Sequence, residues 1–229
     1  MRLYKLDRIV LSIKNNAAQF LNGLTSNTLD KPRNAFLDVH GKIIATFDQI
    51  QTGEDEFLIV LERASRETVL NHIEKFVRLS RVQVQEENHK VYFDLDGKHP
   101  VEPGEWGIPQ KEGQIILTPQ GLSGREPVTE VSLEEFTLFR LKNHIPLLGV
   151  DYGHTFLLNV SEDECVSFTK GCFLGQEPVA KVHNRSKPSW KLTVKFEDEC
   201  PEEERKAMTS KVMDPENRRV LGFVMLSNR

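Results

Sequence analysis

Apolar residues recur along the chain with two periods, and the switches between them outline the secondary structure. Tyr4 to Ile13 alternates apolar and polar residues and predicts a strand. A short helix is expected next, with Asn16 as its cap, Gln19 three residues on in a capping-box arrangement, and Gly23 as its stop. Ala35 to Val39 and Lys42 to Gln51 read as two strands joined by a turn at His40-Gly41. A turn over 53–56 leads into a strand from Phe57 to Leu61. Between Ser65 and Val77 the period lengthens, and Val69, Leu70, Ile73, Phe76 and Val77 share one helical face. Val82, Val84 and then Val91 to Leu95 return to alternation.

In the second half, Pro100 to Gly124 is rich in Pro and Gly and reads as loops around one short strand at Ile115-Ile-Leu117. A helix is expected from Ser132, its cap, with Glu135 at the third helical position and Val131 and Phe136 as a hydrophobic staple. It runs to about His144, ahead of Ile145-Pro146. Trp190, Leu192, Val194 and Phe196 alternate as a strand, and Asp198 to Lys206 reads as an acidic solvated stretch. A last hairpin turns at 214–217, between Val212-Met213 and Val220 to Leu226. The order of strands, hairpin and helices gives an α+β class with mostly antiparallel sheets and flanking helices.

Composition narrows the function classes. The 229 residues hold 38% apolar and 28% charged residues, an ordinary globular balance with no signature of disorder. Thirty basic against 34 acidic residues leave a formal charge of −4, which argues against a general nucleic-acid binder. Cys165, Cys172 and Cys200 are odd in number and irregular in spacing, so neither a disulfide scaffold nor a zinc site is expected, and no metal ligand is assigned. The start lacks a long apolar run and no segment approaches the ~20 residues of a membrane span. These features place the protein in a reducing compartment, the cytoplasm.

The chemistry concentrates in Lys170-Gly-Cys-Phe-Leu-Gly-Gln-Glu177. Gly171 and Gly175 let backbone approach a ligand, and Phe173 offers a flat face for stacking. Gln176 and Glu177 suit a heterocycle with neighbouring N–H donors, and Lys170 suits an anionic tail. A tight turn with a buried Cys and Phe is the plain alternative. Cys172 is a candidate reactive thiol, its thiolate favoured by Lys170, or else a buried structural cysteine. Arg140 is either a fork onto a carboxylate such as Asp151 or onto a ligand tail, or a solvated helix-end cation. Lys181, His183, Arg185, Lys187 and Lys191 form a basic stretch that would attract a polyglutamate tail or RNA phosphate, or serve as a solvated face.

The 170–177 segment resembles the signature of the YgfZ family, which is related to the folate-binding T-protein of glycine cleavage. Three further segments resemble that family in the same order: Phe20-Leu-Asn-Gly-Leu-Thr-Ser-Asn27, Phe36-Leu-Asp-Val-His-Gly-Lys42, and Arg140 with Ile145-Pro146, Gly149 and Asp151. The resemblance implies an aminomethyltransferase-like folate-binding fold around a central cavity, with tetrahydrofolate as ligand. It implies that Lys170, Gly171, Phe173, Gly175, Gln176, Glu177, Arg140 and Asp151 contact that ligand. It also implies a role supporting iron–sulfur proteins or their assembly factors, with an indirect link to tRNA through iron–sulfur modifying enzymes. Pro178 and Thr28 depart from the pattern, where the family usually has an aliphatic residue and an aspartate. The expected organisation is a folate-binding region over 1–187 and an abbreviated C-terminal β segment over 188–229.

Two other functions follow from the same resemblance. One is a folate-dependent aminomethyltransferase or other one-carbon transferase. Against it, Phe57-Leu-Ile-Val-Leu-Glu-Arg-Ala64 lacks the Asn that T-proteins carry near a central strand. The other is a non-enzymatic interaction module that has lost folate.

Overall fold

The computed structural model of the protein describes residues 1–121, 129–161 and 164–228. The first half holds β1 (Arg2–Leu6), β2 (Arg8–Lys14), α1 (Ala17–Leu24), β3 (Arg33–Leu37), β4 (Ile43–Gly53), β5 (Glu56–Glu62), α2 (Arg66–Ser80), β6 (Gln83–Glu87) and β7 (Lys90–Asp94). The second holds β8 (Trp106–Pro109), β9 (Gln114–Thr118), β10 (Thr129–Glu130), α3 (Leu133–Lys142), α4 (Gln176–Arg185), β11 (Trp190–Phe196), α5 (Glu202–Ala207), β12 (Thr209–Asp214) and β13 (Arg219–Ser227).

Three sheets result, ordered β3-β4-β5-β2-β6, β10-β1-β7-β9-β8 and β11-β13-β12. All pairings are antiparallel except β1 with β10. β1 and β2 are separated only by Asp7 yet enter different sheets, as do β6 and β7. The first two sheets are thereby stitched together along the chain.

The run Ile9-Val-Leu-Ser-Ile13 is nearly all apolar because both faces of β2 are covered. Ile9, Leu11 and Ile13 pack with Ala17, Phe20, Leu21, Val69 and Ile73 from the two helices. Val10, on the other face, joins Leu58 and Val60 against Val91, Phe93, Ile115 and Leu117 of the second sheet. Burying each such side chain contributes about 1.5–3 kcal/mol. α3 bridges the second and third sheets, with Phe136 in the former core and Leu138 and Leu141 against Leu221 and Phe223.

Several local expectations need correction. Asn16 sits before α1 in a left-handed conformation with no side-chain cap, its amide donating instead to the Ser80 carbonyl at 3.4 Å. The cap comes from a distant residue, Asp55, whose Oδ1 receives the Ala18 N–H at 3.0 Å. Gly23 lies inside α1, which ends at an extended Thr25. Trp106–Pro109 is a strand that the Gly and Pro in it conceal, and both are tolerated because β8 lies at a sheet edge. Within Asp198 to Lys206 the exposed acidic run forms a 3₁₀ turn and most of α5, anchored by the buried Cys200. Residues 122–124 of the expected loop lie outside the described residues. Ser132 caps α3 as anticipated, its Oγ receiving the Glu135 N–H at 3.1 Å.

Candidate functional site

Residues 170–177 form a turn that delivers the chain into α4. Gly175 caps that helix at φ 82°, and a Cβ there would lie 2.3 Å from the Asp38 carbonyl oxygen. The opposing turn is equally tight: a Cβ on Gly41 would meet Val179 Cγ2 at 2.8 Å and Phe156 at 2.9 Å. The β3–β4 turn and the start of α4 therefore press together at two glycines. Pro178 falls in the first turn of α4, where its missing N–H has no helical partner to lose. The Leu174 N–H donates to the Gly23 carbonyl at 3.1 Å and ties the segment to α1.

Within this segment the candidate ligand groups separate. Lys170 Nζ donates to the carbonyls of Thr25 at 2.6 Å and Asn27 at 2.8 Å, so its charge is spent on holding the loop after α1. Burial pushes its amine down to about 8. Phe173, expected to offer a face for stacking, turns inward: the residue is only 7% exposed and packs with Tyr152, Leu157, Val166 and Val179. Gly171 has open space around it, and Cys172 is an exposed free thiol. Gln176 is half-buried and Glu177 exposed, at the first two positions of α4.

Arg140 and Asp151 do meet, but in a buried lock away from the segment. Nη1 of Arg140 donates to Asp151 Oδ2 at 2.8 Å, and Nη2 donates to Ser210 Oγ at 2.9 Å. Asp151 Oδ1 accepts from Thr209 Oγ1 at 2.9 Å, and Oδ2 accepts the Leu147 N–H at 2.9 Å. The pair joins α3, the loop after it and β12. None of its hydrogen bonds reaches residues 170–177.

A concavity lies beside the segment. A cavity of about 600 Å³ opens among the loop between α1 and β3, the β8–β9 turn, Ile145 and residues 164–169. Lys31, Arg33 and Lys111 bring positive charge to its walls, against Asp30 and Glu164. Ser167 and Thr169 add hydroxyls 3.3 Å apart. The motif itself does not line it. Only the residues just before Lys170 do, because the Gly175 cap seats α4 against the β3–β4 turn and Phe173 turns into the core.

A buried amide network shapes the first of these loops. Asn34, fully buried on β3, accepts the Asn27 N–H at 2.7 Å and returns a bond to the Asn27 carbonyl at 3.1 Å. Gln49 Nε2 donates to the carbonyls of Thr28 at 3.1 Å and Lys31 at 2.9 Å. Asn27 Nδ2 reaches the Glu164 carbonyl at 2.8 Å, across the cavity rim. Arg33 pairs with Glu164 at 2.8 Å. Of these residues, Asn27 and Thr28 were marked in the sequence by the family resemblance, whereas Lys31, Arg33, Asn34, Gln49 and Glu164 were not singled out.

Among the described residues no group of His, Cys, Asp and Glu is arranged to hold a metal ion, and no helix is long and apolar enough to cross a membrane. No family model matches the sequence, and no curated protein matches it. Among solved structures, the chain is similar to the glycine cleavage system aminomethyltransferase T from Bartonella henselae. The TM-score is 0.75 at 14% identity, over 99% of this chain and 78% of that one. The chain thus has the aminomethyltransferase fold along its whole length, in the α+β, mostly antiparallel form that its sequence led us to expect.

Proposed function

We propose that the protein is a folate-binding accessory factor of the YgfZ type, acting in the cytoplasm. It would take tetrahydrofolate in the central cavity and support iron–sulfur cluster assembly or repair, including the iron–sulfur enzymes that modify tRNA. In this reading residues 1–187 form the folate-binding region and 188–229 a short β-rich unit.

The observation that carries the reading is the cavity. Its volume of about 600 Å³ falls within the 300–1,000 Å³ or so typical of small-molecule sites. Lys31 and Lys111 offer charge-assisted bonds to the carboxylates of a folate tail. The signature segment supports the reading from outside the cavity: Lys170 holds the Asn27 loop in place, and Cys172 presents a thiol where another protein can reach it.

Calorimetry with tetrahydrofolate tests the binding. Saturable heat is expected, weakened by Lys31→Ala with Lys111→Ala. Absence of binding at millimolar ligand would sink the proposal. The fold of the neighbouring aminomethyltransferase keeps a second reading, folate-dependent one-carbon transfer, in play. Folate-dependent ammonia release from an aminomethylated donor separates the two, since robust turnover would replace the accessory role. In cells lacking the protein, iron–sulfur enzyme activity under oxidative stress should fall, and a Cys172→Ala copy should fail to restore it.

A further inference from the structure

Leu133, Thr137 and Arg140 recur at helical spacing along α3 and so share one face of it. That face closes a cavity of about 520 Å³, whose other walls come from β1, the loop after α3 and β12. Leu6, Phe136, Leu147 and Val212 make the lining largely apolar, and Leu133 and Val150 stand exposed at its edge. The cavity shares no lining residue with the one proposed for folate.

One polar group of this wall is unsatisfied. Arg140 is buried, and both of its Nη nitrogens are engaged, Nη1 by Asp151 and the Ile145 carbonyl, Nη2 by Ser210. Its Nε is also buried and has no hydrogen-bond partner among the described residues. A buried donor left without an acceptor is unfavourable, and an acceptor brought by a ligand relieves it. Ser210, in the same wall, has a left-handed backbone at φ 51°. It lies in a bulge of β12 that turns its hydroxyl onto Arg140 and Asp151. With its proton given to Asp151 and one lone pair taken by Arg140, that hydroxyl keeps one lone pair for an N–H donor.

We propose that this cavity is a second ligand site, which takes a small neutral amide on an aliphatic body. The amide oxygen accepts from Arg140 Nε, the amide N–H donates to Ser210 Oγ, and the aliphatic part lies against the apolar walls. Charge selects the amide over a carboxylate of the same shape. The guanidinium of Arg140 is already matched by Asp151, so a bound carboxylate would add an unmatched charge beside a buried one. At the mouth, Asp7, Glu62 and Glu134 outnumber Lys5 and Lys211 and oppose an anion further. The volume suits a small molecule.

The test uses hexanamide and hexanoate, which have the same shape and differ in charge. Each is titrated into the full chain while the Arg140 Nε–H resonance is followed in a proton–nitrogen correlation spectrum. Hexanamide should shift that resonance and saturate at about millimolar concentration, as befits so small a ligand. Hexanoate should bind at least about tenfold more weakly. Leu133→Ala combined with Val150→Ala changes only exposed positions, so folding should hold, and hexanamide should bind about fivefold more weakly for the lost apolar contact. Saturating tetrahydrofolate should leave hexanamide binding unchanged. The proposal is overturned by an Arg140 resonance that hexanamide does not move, by hexanoate binding as tightly as the amide, or by affinity that survives the double substitution. Displacement of hexanamide by tetrahydrofolate would make the cavity part of the folate site and overturn it as well. Failure of folate to bind anywhere would leave it standing.

Discussion

Arg140 and Asp151 face each other at 2.8 Å with side chains 3% and 0% exposed, and the same carboxylate holds Thr209 and Ser210 of the third sheet. One ion pair therefore fastens α3, the loop that follows it and β12. Removing one member strands the other charge in the interior. Asp151→Ala should cost about 3–5 kcal/mol, read as a lower midpoint of urea unfolding. A loss below about 1 kcal/mol would mean that water reaches the guanidinium.

The two glycines of the signature are not equivalent. Gly175 is left-handed and its added Cβ would collide with the Asp38 carbonyl, whereas Gly171 has nothing within 4 Å. Gly175→Ala should lose about 2–4 kcal/mol, a fall in Tm of roughly 5–15 °C. Gly171→Ala should stay within ~0.5 kcal/mol of the unaltered protein. Equal effects at both positions would refute the proposed seating of α4.

Burial holds the Lys170 amine at about 8, against its ordinary 10.5, which still leaves it mostly charged at neutral pH, where it donates to two carbonyls. A depressed pKa means that the unfolded chain holds the extra proton between the two values. This group's contribution to stability is therefore full above 10.5 and is lost as the pH falls through about 8. The stability difference between the unaltered protein and Lys170→Met should accordingly rise from pH 8 towards pH 10.5. In limited acetylation near pH 8, Lys170 should show an earlier onset with rising pH than an exposed lysine. Identical pH profiles would contradict the shift.

Of the three cysteines, Cys172 is exposed, while Cys165 and Cys200 are buried and burial pushes both thiols up. A thiol reagent should therefore modify Cys172 alone in the folded protein, and the other two only after denaturation. Fast native modification of Cys165 would show that its surroundings open.

The strands and helices were legible because they rest on local periodicity. α2 shows its apolar face directly, and Ser132 with Glu135 announces α3. The concealed elements depend on distant neighbours. Asp55 caps α1 from another turn, and β8 becomes a strand only by pairing with β9. The site divided in the same way. The 170–177 segment stood out by composition, but whether Phe173 faces a ligand or the core depends on how α4 seats against the β3–β4 turn.

The amino-acid order by itself determined the α+β class, the main elements and the basic stretch after the 170–177 segment, since each follows from residue type and spacing within one segment. Tertiary structure alone decided that Lys170 props the Asn27 loop, that Arg140 and Asp151 lock the third sheet, and that the cavity walls come from Lys31, Arg33 and Lys111. Those facts depend on which carbonyls, carboxylates and loops the fold brings together, as it does Lys170 and the Asn27 carbonyl over 143 residues of chain. Burial, geometry and shared walls arise only when the sheets close on one another.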